Sequence, residues 1–206
     1  CLENTSNRGG GSCYDLEDIK KIREVCDSHH LNFHLDGARL FNALVARKQS
    51  PKDYGRLFHS ISICLSKSLG APVGSVLLGS QEFIKKARRI RKVFGGGMRQ
   101  AGFLAAAGIY ALQHHVERLA EDHHHARLIA DALKKKSFVK EVMPVETNIL
   151  IFHLDEGQDA AGLVLKLKEQ GILAYAIAPR SVRFVVHLDI SPSMVEKTIE
   201  VIERMR

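Results

Sequence analysis

Leu16, Ile19, Ile22 and Val25 fall three residues apart, which places them on one face of a helix. The predicted helix covers residues 15–28, with Asp15 as N-cap and Asp18 as an approximate capping-box partner. A short apolar strand follows over residues 31–35, and another over residues 60–65. This succession of helix and strand predicts an α/β layer with a largely parallel sheet. Residues 73–78 read as a third strand, bounded by glycine. The link before it is too short for a helical crossover, so this strand is expected to run antiparallel.

Beyond residue 80 the pattern turns helical. Residues 81–94 form one predicted helix, Gly95-Gly96-Gly97 breaks it, and residues 98–136 read as helix with at least one further interruption. The glycine triplet is read as a hinge rather than an anion cradle. The alanine-rich stretch over residues 101–111 is expected to pack closely against a neighbour. Residues 145–154 form a strand, apolar through its middle. Residues 159–170 form a helix with Val164, Leu165, Leu167 and Lys168 along its buried edge, closed by Gly171 past its last turn. Two strands, residues 172–177 and 182–188, flank Ala178-Pro179-Arg180-Ser181. A final helix starts at Ser191-Pro192, because proline is preorganised for a first helical position. The expected organisation is a partial α/β large domain, residues 1–112, followed by a small α+β domain, residues 113–206.

The chain has 206 residues, 45% hydrophobic and 26% charged, enough to bury a sizeable core and too apolar for a disordered chain. No apolar stretch reaches the roughly 18 residues a bilayer span requires, so no membrane partner is expected. The chain starts at Cys1 and its first methionine is Met98; it reads as the carboxy-terminal part of a longer protein. The net charge of +7 comes largely from Lys85-Lys86-Ala87-Arg88-Arg89-Ile90-Arg91-Lys92 and Lys134-Lys135-Lys136. No aromatic residue interleaves with the first run, and no nucleic-acid-binding signature accompanies it. It reads as a solvated helical face or a subunit contact, and nucleic acid is not an expected partner.

None of the four cysteines forms a C-x-x-C pair, and their spacing matches no zinc site. Cys26 and Cys64 are expected to be small core residues, and a reducing, cytoplasmic setting is favoured. Three adjacent histidines, His123-His124-His125, cannot converge on one ion from a regular helix. They are expected at the surface, and no metal site is expected.

The chemistry gathers at two strand ends. Asp36 closes the strand that begins near residue 31, and Lys67 lies just past the apolar run Ile61-Ser62-Ile63-Cys64-Leu65-Ser66. Small residues and Gly70-Ala71-Pro72-Val73-Gly74 surround the lysine, a setting that would partly desolvate its amine and make it nucleophilic. Such a pair suits pyridoxal phosphate: an amine to hold the aldehyde and a carboxylate to hold the proton on the ring nitrogen. Taken alone, Asp36 reads equally well as a capping residue, and His34 as a packed strand histidine.

The motifs His34-Leu35-Asp36-Gly37-Ala38-Arg39-Leu40-Phe41-Asn42-Ala43, Cys64-Leu65-Ser66-Lys67-Ser68-Leu69-Gly70-Ala71-Pro72-Val73-Gly74-Ser75 and Gly95-Gly96-Gly97-Met98-Arg99-Gln100-Ala101-Gly102 resemble the threonine aldolase family. Arg183-Phe184-Val185-Val186-His187-Leu188-Asp189-Ile190-Ser191 and Glu3-Asn4-Thr5 extend the resemblance over essentially the whole chain. It implies a pyridoxal-phosphate enzyme of aminotransferase fold type I, working as a homodimer or homotetramer on a small amino acid. The implied reaction is retro-aldol cleavage of threonine or allo-threonine to glycine and acetaldehyde. Lys67 is implied as the Schiff-base lysine, Asp36 as the partner of the ring nitrogen, and Arg99 as a cofactor-phosphate ligand. Arg39 and Arg183 are implied as the clamp on the substrate carboxylate, which arginine meets bidentately.

Two positions depart from that pattern. Ser6 stands where the family places a histidine that handles the hydroxyl proton, and Ser68 replaces a glycine beside the lysine. The phosphate turn and stacking ring of this fold type belong to the upstream half of its large domain. The alternative reading is therefore a degenerate or truncated, non-catalytic member acting at most as a binding protein.

Overall fold

A computed structural model describes residues 1–205 of the chain, which divides into two units. The first comprises residues 1–5 and 13–117, the second residues 6–12 and 118–206.

In the first unit β1 (Leu2–Glu3), β2 (His34–Gly37) and β3 (Ser60–Cys64) run parallel, and β4 (Ser75–Gly79) pairs antiparallel with β3. Parallel neighbours need long crossovers. Helix α1 (Leu16–Ser28) supplies the one from β1 to β2; α2 (Leu40–Arg47) and α3 (Pro51–Leu57) supply the one from β2 to β3. The sequence pattern did not mark α2 and α3. Each is short, and they are split by Lys48 in the left-handed region and by Pro51 at the first position of α3. Alternation along the strands sends Leu35 and Ile61 into a core with Leu2, Ile19, Phe33, Tyr54 and Phe58, while His34, Asp36, Ser60 and Ser62 take the other face. The buried Tyr54 hydroxyl accepts from Asn4 Nδ2 at 3.0 Å and donates to Gln49 Oε1 at 2.9 Å. Burial pushes that phenol up to about 12. Helices α4 (Gln81–Val93) and α5 (Gly102–His114) complete the unit.

The second unit contains α6 (Leu119–Leu133), β5 (Val139–Val142), β6 (Ile149–Leu154), α7 (Ala160–Glu169), β7 (Tyr175–Ala178), β8 (Ser181–Val185) and α8 (Pro192–Arg204). Its sheet is antiparallel, in the order β5-β6-β8-β7. Ile149, Leu150, Ile151 and Phe152 are all buried, so this strand has both faces covered and reads as a continuous apolar run. Ile129 and Leu133 of α6, Leu167 of α7, and Val195 and Ile202 of α8 close the core. Ser191 caps α8 by accepting from the Met194 N–H at 3.3 Å.

Several expectations change. Leu31 lies outside the strand and is exposed. Asp15 sits at the N-cap of α1 without a side-chain cap bond; its carboxylate instead faces Arg47 Nη1 at 3.5 Å. In α7 only Ala160 and Leu167 are buried, and Leu165 is exposed. Of the alanine-rich helix α5, only Gly108 and Ala111 are buried. Cys26 and Cys64 are half-buried rather than core residues, and Cys13 is the buried one. His123 and His125, expected at the surface, are 3% and 4% exposed. The reason is helical spacing: His123 falls four residues after Leu119 and three before Ala126, on the buried stripe of α6. Burial, with Arg127 nearby, holds the His123 imidazole down to about 4.

Candidate active site

The parallel strands β1, β2 and β3 bring their carboxyl ends to one sheet edge, where open α/β sheets gather ligands. Glu3, Asp36 and Ser62 stand in register across them. Asp36 is half-buried, and its Oδ1 accepts from the Ala38 backbone N–H at 3.0 Å, so the carboxylate is fixed over the strand end. Gly37 follows because a Cβ there would lie 2.6 Å from the Ser62 carbonyl oxygen and 3.1 Å from Leu40 Cβ. Arg39 is the half-buried N-cap residue of α2, and its carbonyl accepts from the Asn42 N–H at 3.0 Å.

Lys67 lies just beyond the neighbouring strand, β3. Its carbonyl accepts from Gly70 N–H at 2.9 Å, and Ala71 N–H donates to the Leu65 carbonyl at 3.0 Å. Gly70 supplies the φ of 71° that this turn needs. Ser68 and Leu69 are buried and anchor the turn, while the Lys67 side chain is exposed. His115, just past α5, braces it: Nδ1 donates to the Leu69 carbonyl at 2.7 Å. A carbonyl can only accept, so that nitrogen carries the proton. Nothing in the sequence marked His115 for this contact.

This donor set fits pyridoxal 5′-phosphate. A carboxylate fixed by a backbone N–H suits a protonated ring nitrogen, and an exposed amine on the adjacent strand's turn suits the aldehyde. Adjacent strands lie about 4.8 Å apart, so the two groups share one edge. The phosphate is not served by the glycine triplet. Gly95 N–H donates to Lys92 O, Gly96 N–H to Arg91 O and Gly97 N–H to Gly95 O, at 3.1, 2.8 and 3.0 Å. The first two bonds, with Gly95 at φ 83°, make a Schellman stop to α4 and leave no N–H for an anion. Arg99, in the segment between α4 and α5, is exposed; among the described residues no hydrogen bond or ion pair joins it to Asp36 or Lys67.

His34 is tied on both ring nitrogens, Nδ1 to Ser60 Oγ at 2.7 Å and Nε2 to Ser62 Oγ at 3.5 Å. It is a packed strand histidine. Ser6 is a turn-forming residue, its hydroxyl accepting from the Gly9 N–H at 3.2 Å. Arg183 belongs to the second unit, on β8. Its Nη1 donates to Asn7 Oδ1 at 3.1 Å, and its guanidinium carbon stands 5.7 Å from the Tyr175 ring centroid. Among the described residues no three or more His, Cys, Asp or Glu side chains group so as to hold a metal ion.

Residues 1–157 match the family model described as beta-eliminating lyase. The chain belongs to the beta-eliminating lyase family. Within that family it is 42% identical over 202 residues to low-specificity L-threonine aldolase 1 of Arabidopsis thaliana, covering 97% of this chain and 56% of the relative. It is 45% identical over 190 residues to the low specificity L-threonine aldolase of Escherichia coli strain K12, covering 92% and 55%. The chain thus spans about half the length of the curated relatives it matches. The Leishmania major threonine aldolase structure superposes with a TM-score of 0.82 at 21% identity, over 98% of this chain and 60% of that one. The architecture is pyridoxal-phosphate fold type I, and pyridoxal 5′-phosphate is the cofactor of this lyase class.

Proposed function

We propose that this beta-eliminating lyase family member is an aldolase-type carbon–carbon lyase, cleaving threonine or allo-threonine to glycine and acetaldehyde. The observation that carries the proposal is the placement of Asp36 and Lys67 at the carboxyl ends of neighbouring parallel strands, in a chain 42–45% identical to L-threonine aldolases. When bound, pyridoxal phosphate supplies an electron sink for the breaking Cα–Cβ bond. Asp36 would hold the proton on its ring nitrogen and Lys67 its aldehyde carbon. Arg39 and Arg183 are the proposed carboxylate ligands, and Arg99 a proposed phosphate ligand. The His34 ring, held by two serines, and the Ser6 hydroxyl, engaged in its own turn, are poor candidates for the base that takes the hydroxyl proton.

A homo-oligomer is proposed on the exposed apolar side chains of α4, α5 and the segment between them, Ile90, Val93, Phe94, Met98 and Phe103 among them, since contiguous apolar surface marks interaction sites. The test is to add pyridoxal phosphate and L-threonine or L-allo-threonine and trap acetaldehyde. Release of aldehyde, lost in Lys67→Ala, is the expected outcome. A cofactor absorption band that depends on Lys67, with no aldehyde from either substrate, would leave the non-catalytic binding reading in its place.

A further inference from the structure

We propose that Asn7 is a positioning residue for Arg183, fixing the guanidinium so that it meets the substrate carboxylate in one orientation. The inference rests on the reading of Arg183 as a carboxylate ligand and adds the residue that holds it.

The loop that carries Asn7 is closed at both ends. Ser6 N–H donates to Ser12 O at 3.0 Å, and Gly11 N–H to Ser6 O at 2.8 Å. Thr147 Oγ1 donates to the Gly11 carbonyl at 2.7 Å, tying the loop to the second unit's own framework. Gly10 and Gly11 take φ values of 71° and 77°, and a Cβ on Gly11 would collide with Thr147 Oγ1. The run Arg8-Gly9-Gly10-Gly11 is therefore a built turn rather than a loose linker, and Asn7 stands on a fixed base.

Arg183 is gripped from two sides. Asn7 Oδ1 accepts from Nη1 at 3.1 Å. Tyr175, its register partner on β7, lies under the guanidinium at 5.7 Å, within the range of a cation–π contact. What the grip leaves undone is informative. No carboxylate forms an ion pair with Arg183 among the described residues, and its Nε is buried without a hydrogen-bond partner. Buried N–H groups are nearly always satisfied, and an exception calls for a reason. An arginine serving only to tie the loop to the sheet would be better served by an aspartate at position 7, which would neutralise it. A neutral amide holds the group still and keeps its whole charge for an anion.

The experiment uses the full chain with its cofactor. It measures kcat and KM for L-threonine, and glycine and glycinamide affinity by calorimetry, for the unsubstituted protein, Arg183→Ala, Asn7→Ala and Asn7→Asp. Asn7→Ala is expected to raise KM and the glycine dissociation constant about tenfold while kcat moves less than about threefold, the signature of lost uniform binding. Glycinamide affinity is expected to stay put, because it carries no carboxylate. Asn7→Asp is expected to weaken glycine further, although it restores an acceptor at the same place. A lowered melting temperature with unchanged KM and glycine affinity in Asn7→Ala would make the bond purely structural and overturn the inference. So would glycine binding in Asn7→Asp as tight as in the unsubstituted protein. Should Arg183→Ala leave both constants unchanged, or the unsubstituted protein fail to bind glycine, the carboxylate reading falls and this inference with it. A loss in Arg183→Ala alone defeats only the role given to Asn7.

Discussion

The two units bury their sheets differently. In the second, β6 is enclosed on both faces, and α6 and α8 bring buried stripes to it. In the first, β2 and β3 bury one face and show the other as a row of polar side chains, while every residue of β4 is exposed and α4 buries none. One unit is organised around its own core. The other carries the strand-end chemistry on a sheet with an open, apolar edge at Val76, Leu77 and Leu78. Open hydrophobic edges attract pairing, and the first unit shows one where the second encloses its central strand.

The largest effects should therefore come from β6. Phe152 is fully buried and stacks on Phe184 with ring centroids 6.1 Å apart. Phe152→Ala is expected to cost about 3–5 kcal/mol, the usual loss for a buried aromatic. Leu77→Ala, on the exposed strand of the other unit, is expected to stay within about 0.5 kcal/mol. Urea denaturation of the two variants checks this. A loss at Leu77 comparable with that at Phe152 would mean that β4 is covered in solution, and the contrast between the units would be one of assembly rather than of folding.

Acid should separate the units next. The folded chain keeps His123 neutral down to about pH 4, whereas an unfolded histidine takes its proton near pH 6.5. Between those values the unfolded chain binds the proton that the folded chain refuses, so stability falls as pH drops from about 6.5 to about 4. The contribution is of the order of 3 kcal/mol once the pH is below both values. His123→Gln should flatten that slope. Urea midpoints at pH 7, 5.5 and 4.5, with hydrogen exchange to assign the loss to the second unit, measure it. An equal slope in His123→Gln would remove this histidine as the cause.

His123 also marks the limit of reading polarity from sequence. The positions of α4, β4 and α8 followed from apolar spacing, glycine and proline, and the antiparallel turn of β4 followed from a link too short to hold a helix. The strand-end positions of Asp36 and Lys67 followed from the same reasoning, because each stands at the close of an apolar run. Where composition and spacing conflict, spacing prevails: two histidines go inside because they fall on the α6 stripe. Ala105 and Ala106 of α5 stay exposed, because the helix turns Gly108 and Ala111 inward instead. β5 escaped notice because Lys140 and Glu141 interrupt a strand of four residues. His115 and Asn7 were illegible for a different reason. Their partners, Leu69 and Arg183, lie 46 and 176 residues away, and no local pattern carries such a contact.

The smallest contrast is between two helix starts that look alike in sequence. Asp159 accepts from the Ala161 and Gly162 N–H groups at 3.3 and 2.7 Å, satisfying donors that α7 cannot pair internally. Asp15 occupies the same position before α1 with no such bond, its carboxylate set toward Arg47 at 3.5 Å in an exposed pair. Exposed pairs of that kind contribute little. Asp159→Ala is thus expected to cost about 1 kcal/mol, and Asp15→Ala no more than about half of that. Thermal melts of the two variants decide between them. An equal loss at Asp15 would mean that its carboxylate turns back onto the α1 N–H groups in solution, and that the two helices begin in the same way.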